Sequence, residues 1–403
     1  MNIRKDFPFL EQTINGYPIA YLDNAATTQK PQIVLDAMTH FYKTSNANVH
    51  RATYTHAESA TQQFEDARAT LARFIGADTA EIIFTRSATE GINVVAHAWA
   101  LQHLKAGDEI VITQLEHHAN ILPWMQVAKQ TGATLVTVPI KPDGTLSLDR
   151  FTAMITTRTK LVSVVHTSHV TGAHVPIKQI AQQAHAVGAY ILVDAAQSAA
   201  HHIIDVHDLD VDFLVFSAHK MCGPTGIGAL FAARHMHGQL TPYQWGGGMV
   251  VDIQLSGNVL VQPVPYRLEA GTPAIAQAIG FAAAADYLSA LDRDAVQQYE
   301  ALLCKQFIAG AQTMPRIQLV GPLDELAHSG HLVSFSVDGV HAHDVSSYLD
   351  QYAVAVRAGN LCAQPLIRAL GDKPLVRASF FCYNTIIEVD RLLEGLAHLL
   401  REF

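Results

Sequence analysis

At 403 residues the chain has material for two or three domains, and 49% hydrophobic against 16% charged residues gives a globular composition with no bias toward disorder. A formal net charge of -9 argues against nucleic acid and anionic membranes as partners. The four cysteines (Cys222, Cys304, Cys362 and Cys382) include no C-x-x-C pair, which argues against a zinc ribbon, a thioredoxin-type motif or a disulfide framework and favours reduced thiols.

The start, Met1 to Pro8, lacks a long apolar run and a cleavage site, and no stretch reaches the roughly 18 apolar residues of a membrane span. A soluble cytoplasmic protein is the expectation. From about 70 to 235, short β-branched runs alternate with amphipathic ones. Strands are predicted at 81–85, 109–113, 134–139, 161–166, 190–194 and 213–216, with helices at 89–104 and 176–187. Such alternation favours a mostly parallel sheet with helices on both faces and a ligand at the strand carboxyl ends. After Pro273 the pattern changes. Helices are predicted at 274–291, 295–312, 342–351 and 387–401, and strands at 331–337, 353–357 and 375–381. The expected organisation is an arm over 1–20, a large domain over 21–272 and a smaller α+β C-terminal domain over 273–403.

Several strand ends carry chemistry. Asp194 closes an apolar strand, where a carboxylate is costly without a cation such as a pyridinium nitrogen. Alone it reads better as a cap or turn residue. Lys220 follows the next strand, where it could form a Schiff base with an aldehyde cofactor, and Ser217 and His219 could bond its phosphate. Alone, an exposed loop lysine is the commoner case. Ser87 and Glu90 have capping-box spacing, which starts a helix whose free N–H groups suit an anion. His117 and His118 follow another strand. An imidazole there can stack on a ring and move protons, whereas metal binding needs a third ligand that the spacing does not supply. Cys362 sits in the loop Arg357–Pro365 after Gly359, as a mobile nucleophile would, although a free cysteine is more often buried structure. Arg377 is a lone charge in an apolar strand, suited to an amino-acid carboxylate or to a structural ion pair.

In this order the motifs resemble the class V aminotransferase family of fold-type I enzymes that use pyridoxal 5′-phosphate (PLP). The best match is its group II cysteine desulfurases, of the SufS/CsdA type. The likeness runs from Asp6-Phe7-Pro8 and Tyr21 to Ala26, through Asn48 to Arg51, Glu116 to Asn120, Lys220, Gly223 to Gly228 and Leu268 to Pro273, to Tyr383-Asn384-Thr385. The loop Arg357 to Pro365 resembles the short R-x-G-x-x-C-A-x-P of group II.

The resemblance implies an α/β chain of PLP-dependent transferase fold type I and a cysteine desulfurase that makes alanine from L-cysteine. Lys220 is implied to carry PLP, Asp194 to pair its ring nitrogen, Gln197 its hydroxyl, and His117 to stack on it and shuttle protons. Thr89, Ser217, His219 and the backbone at Ala88 are implied to hold the phosphate, and Thr272 to reach the phosphate of the other subunit in a homodimer. His169 stands where the family contacts both cofactor hydroxyl and substrate. Arg377 is implied to clamp the substrate carboxylate with His50, Arg357 and Asn24 nearby. Cys362 is the implied nucleophile, kept as a persulfide until a sulfur-acceptor protein of the SufE/CsdE type unloads it. No metal is implied. Selenocysteine lyase and cysteine sulfinate desulfinase are alternatives on the same scaffold. The chain departs from the family pattern with His169 for Asn, Leu361 for His, Ala88 for Thr, Ala195 and Ala218 for Gly, and Ala274 for Asn.

Overall fold

The computed structural model describes residues 3–403. Seven strands form the larger sheet: β1 (Ile82–Thr85), β2 (Glu109–Thr113), β3 (Thr134–Val138), β4 (Thr159–Val165), β5 (Tyr190–Asp194), β6 (Phe213–Ser217) and β7 (Gly228–Ala232). Their spatial order is β1-β7-β6-β5-β4-β2-β3. Strands β2 to β6 are parallel, while β7 is antiparallel to both β6 and β1.

Except for the edge strand β3, these strands are buried along nearly their whole length because both faces are covered. Successive side chains alternate between two cores. Ile82, Val111, Val193 and Leu214 enter one, with the helices α1 (Gln32–Thr44), α2 (Thr55–Phe74), α5 (Ile177–Ala186) and α6 (Ile275–Ser289). Ile83, Ile110, Leu192 and Phe213 enter the other, with α3 (Ala88–Val95) and α4 (Leu122–Thr131). The helix predicted over 89–104 runs without a gap from Ala88 to His103, with α3 passing through a π-helical turn at Ala96–Ala100 before a last short stretch.

A smaller antiparallel sheet holds β8 (Ile317–Val320), β9 (Leu332–Val337), β10 (Arg357–Gly359) and β11 (Leu375–Ser379) in the order β8-β9-β11-β10. Helices α7 (Arg293–Gln312), α8 (Ala342–Asp350) and α9 (Ile386–Glu402) accompany it. The strand predicted over 353–357 is split. Val354–Ala355 pairs in parallel with Ala20–Tyr21 of the N-terminal arm, and Arg357 starts β10. The arm is also tied by Arg4, whose guanidinium donates to Glu388 at 2.9 Å, and by Phe7, whose ring lies 4.5 Å from that of Tyr383. Helix α6, the first element after Pro273, contributes Ala278 and Phe281 to the core of the larger sheet.

Candidate active site

A cavity of about 460 Å³ opens where β2, β4, β5 and β6 end, with the Cys362 loop and β11 as its far wall. Asp194, Gln197, His117, His169, Ser217, His219, Lys220, Ala88 and Thr89 line it from the larger sheet, and Arg357, Cys362 and Arg377 from the smaller unit. The strand ends bring them together because parallel strands deliver all their following loops to one edge.

Lys220 sits in a 3₁₀ turn directly after β6. Burial lowers its pKa, and the carboxylate of Asp194 acts in the opposite sense. Asp194, which accepts from Ala196 N at 2.9 Å, is pushed up by burial. The partly exposed amine and the buried carboxylate are thus each short of charge stabilisation, a state that a ligand carrying both polarities relieves.

At the start of α3 the Ser217 hydroxyl accepts from Ala88 N at 2.8 Å, leaving its own proton free to donate. The Ala88 N–H, expected to serve an anion, meets this hydroxyl in the structure, and Ala88 lines the cavity. Glu90 N reaches Ser87 Oγ at 3.4 Å and Gly91 N reaches Ser87 O, so the Thr89 N–H is the first-turn group left over. The capping box is only half made: the Glu90 carboxylate turns away to Arg86 N at 2.5 Å and to Tyr243 Oη at 2.8 Å. Gly228 lets β7 pass beneath, because a Cβ there would stand 2.8 Å from Ser87 Cα.

His117 accepts from Ala119 N on Nδ1 at 3.0 Å, which places its proton on Nε2. Burial, with Lys220, His118 and Arg377 nearby, lowers its pKa to about 4. Burial and Lys220 likewise bring His219 to about 4. Gln197 donates to Ala25 O at 2.8 Å. Arg377 donates through Nη1 to His169 O at 2.8 Å and through Nη2 to Asp23 at 3.4 Å. Arg357 is half-exposed and stands 3.9 Å from the same aspartate. Two buried polar atoms of this wall, His169 Nδ1 and Arg377 Nε, have no partner.

Three expected site residues are not in this cavity. Asn24 is buried and spent on structure: it donates to Ser379 O at 2.6 Å and to Asn384 at 2.9 Å, and it accepts from Tyr383 Oη. His50 and Thr272 line a second cavity of about 420 Å³ with Arg51, Gln262 and Tyr266. Sequence reasoning missed Asp23, which holds both arginines, and His118, whose backbone N–H meets Cys362 O at 2.9 Å. Asp23 could have been found as a second aspartate at the end of an apolar run. No local signal marks the His118 contact, which joins distant segments.

Of the four cysteines, Cys362 is exposed and Cys222, Cys304 and Cys382 are buried. Among the described residues no group of three or more His, Cys, Asp or Glu side chains is placed to hold a metal, and no helix is long and apolar enough to cross a membrane.

Comparison with known proteins matches residues 20–392 to the aminotransferase class-V family. A probable cysteine desulfurase of Synechocystis is 44% identical over 402 residues, covering 100% of this chain and 96% of the relative. A cysteine desulfurase of Enterobacter is 44% identical over 98% of this chain and 97% of its own. Among solved structures, the cysteine desulfurase of Thermococcus onnurineus superposes with a TM-score of 0.94 at 36% identity, covering 100% and 98% of the two chains. The cysteine desulfurase CsdA of Escherichia coli gives 0.91 at 36% identity with the same coverage.

Proposed function

Because this chain belongs to the aminotransferase class-V family and is a PLP-dependent cysteine desulfurase, we propose that it takes the sulfur of L-cysteine onto Cys362 as a persulfide and releases L-alanine. The observation that carries the reading is the position of Cys362. It is the exposed thiol, and it lines the same cavity as Lys220 and Arg377.

The residues present fit PLP. Lys220 offers an amine whose pKa burial lowers, Asp194 a buried carboxylate whose pKa burial raises, and Ser217, His219 and Thr89 offer donors beside a helix start. The unpartnered His169 Nδ1 and Arg377 Nε add a buried acceptor and a buried donor. When bound there, PLP supplies an electron sink for the substrate α-carbon.

This chain's own residues do the rest. Arg377, steadied by Asp23 and His169 O, holds the substrate carboxylate, and Arg357 assists from the rim. Lys220 Nζ, made a weaker base by burial, accepts and returns the α-proton. His117, neutral with its proton on Nε2, covers the cavity wall and passes protons. The Cys362 thiolate attacks the substrate sulfur. An S–S bond forms, the substrate C–S bond breaks, its electron pair stays with the carbon, and a proton there completes alanine.

The three-part organisation, with an arm over 1–20, a large domain over 21–272 and a small domain over 273–403, belongs to the same proposal, with α6 as the connecting helix. So does a homodimer: Thr272 and His50 serve the site of the second copy. Its support is their cavity away from Lys220, beside an exposed apolar hairpin that carries Ile253, Leu255 and Leu260. A cytoplasmic location, iron–sulfur assembly as the destination, and a SufE/CsdE-type acceptor complete the reading. A separate protein collects the sulfur because a loop pinned at both ends cannot swing far.

The test is alanine released from L-cysteine by the wild type and by Cys362→Ser, with a reductant to clear the persulfide. Loss in the variant by about 10²-fold or more is expected. Equal rates would leave Cys362 without this role and favour lyase chemistry.

A further inference from the structure

The loop that carries the nucleophile adopts a backbone that ordinary residues avoid. Leu361 and Cys362 follow one another at φ of 50° and 56°, in the left-handed region, and neither is glycine or asparagine. Such a conformation persists only where surrounding contacts impose it. Those contacts come from two segments of the larger unit. His169 Nε2 meets Leu361 O at 2.8 Å in a buried contact, His118 N donates to Cys362 O at 2.9 Å, and Gln364 N reaches His118 Nε2 at 3.3 Å.

The His169 contact has one reading in terms of protons. A carbonyl oxygen can only accept, so Nε2 carries the hydrogen. Burial, together with His117, Arg377 and Lys220 nearby, holds the ring well below the usual imidazole range, so it is neutral and the bond does not depend on a charge. The backbone of the same residue accepts from Arg377 Nη1 at 2.8 Å. One residue therefore joins the nucleophile loop to the guanidinium that faces the cavity. An asparagine here, the residue of the resembled family, would place its amide nitrogen where His Nδ1 lies, too short to reach Leu361 O. A glutamine would place one where Nε2 lies.

We infer that His169 is a positioning residue, whose neutral Nε2–H ring latches the Leu361 carbonyl and so fixes where Cys362 stands against the Lys220 cavity. The effect on turnover rests on the desulfurase reading above; the latch itself does not.

The test uses the PLP-loaded protein and the rate at which iodoacetamide alkylates Cys362, the other three thiols being buried. His169→Ala and His169→Asn are expected to raise that rate several-fold and to lower kcat for alanine formation more than they change KM. His169→Gln is expected to return both toward wild type. Equal alkylation rates in wild type, His169→Ala and His169→Asn, or a His169→Gln variant as reactive as His169→Ala, would overturn the latch. Far-ultraviolet circular dichroism reports whether each variant folds, and if His169→Ala does not, the contrast between Asn and Gln decides. Should the alkylation pattern hold while the wild type makes no alanine from L-cysteine, the latch stands and the desulfurase reading fails. Should alanine form with flat alkylation rates, the latch alone fails.

Discussion

The cavity at Lys220 and the cavity at Thr272 have similar volumes, about 460 and 420 Å³, and different chemistry. The first gathers an amine, a carboxylate, a thiol, a guanidinium and imidazoles from both sheets. The second is lined by His50, Arg51, Gln262, Tyr266, Thr272 and glycines, with no lysine, carboxylate or thiol in its wall. The first brings together the groups that bond-breaking chemistry uses, and the second offers polar groups without a nucleophilic amine or thiol. The supports differ as well. The first is braced by neutral hydrogen bonds such as Ala88 N to Ser217 Oγ and by the longer Arg377–Asp23 pair at 3.4 Å, whereas beside the second Arg68 meets Glu269 at 2.6 and 2.9 Å. Glu269 also accepts from Phe84 N at 2.7 Å, which fastens the segment leading to Thr272 onto β1.

The largest break in the comparison is Lys220→Ala, which is expected to abolish the cofactor's visible absorbance and alanine formation together. A wild-type spectrum in the variant would show that another group carries the cofactor. Next is Arg68→Ala. It leaves Glu269 buried and unpaired, and a loss of about 3–5 kcal/mol in urea unfolding is expected, with the Thr272 cavity affected before the Lys220 one. An unchanged midpoint would show that the pair is not needed.

On the proposed shared site, Thr272→Val is a smaller change that would remove one hydrogen bond to a charged group, worth about 1.5–3 kcal/mol or roughly tenfold to a hundredfold in PLP affinity. Its sharper use is in mixed dimers. In the proposed homodimer, combining Lys220→Ala chains with Thr272→Val chains would put both defects in one site and leave the other intact, so the mixture is expected to be more active than either variant alone. No recovery would place Thr272 outside the partner's site.

The smallest effect is in pH. Burial and the neighbouring Lys220, His118 and Arg377 lower His117 to about 4, so its ring stays neutral above that value and protonates only below it. Protonation would cost the acceptor that Ala119 N uses. Following the ring by NMR should give a midpoint near 4, and one near the ordinary 6.5 would show a cavity more open to water than its geometry indicates.

Much of the fold was legible in the sequence because buried parallel strands leave an unmistakable apolar pattern. Strands β2 and β5 have the predicted bounds, 109–113 and 190–194. Strand β7 was not legible, since its first residue, Gly228, where a Cβ would crowd Ser87, reads locally as turn. The strand predicted over 353–357 was divided because its two ends pair with different partners, one near residue 20 and the other near 376.

For the site, strand-end positions announced Asp194, Lys220 and Cys362, since polar or reactive groups at the close of apolar runs stand out by local contrast. Asn24 was named only through the family resemblance, and nothing local shows that its amide is consumed by Ser379 and Asn384. The sequence by itself determined the type of sheet, the edge at which ligands gather and the kinds of reactive groups there, all matters of short-range periodicity and side-chain chemistry. Only the tertiary structure decided which cavity each residue enters and which atoms are left unpaired. It also decided that His169 reaches Leu361, because those outcomes depend on contacts between segments far apart in the chain, whose geometry is set by packing.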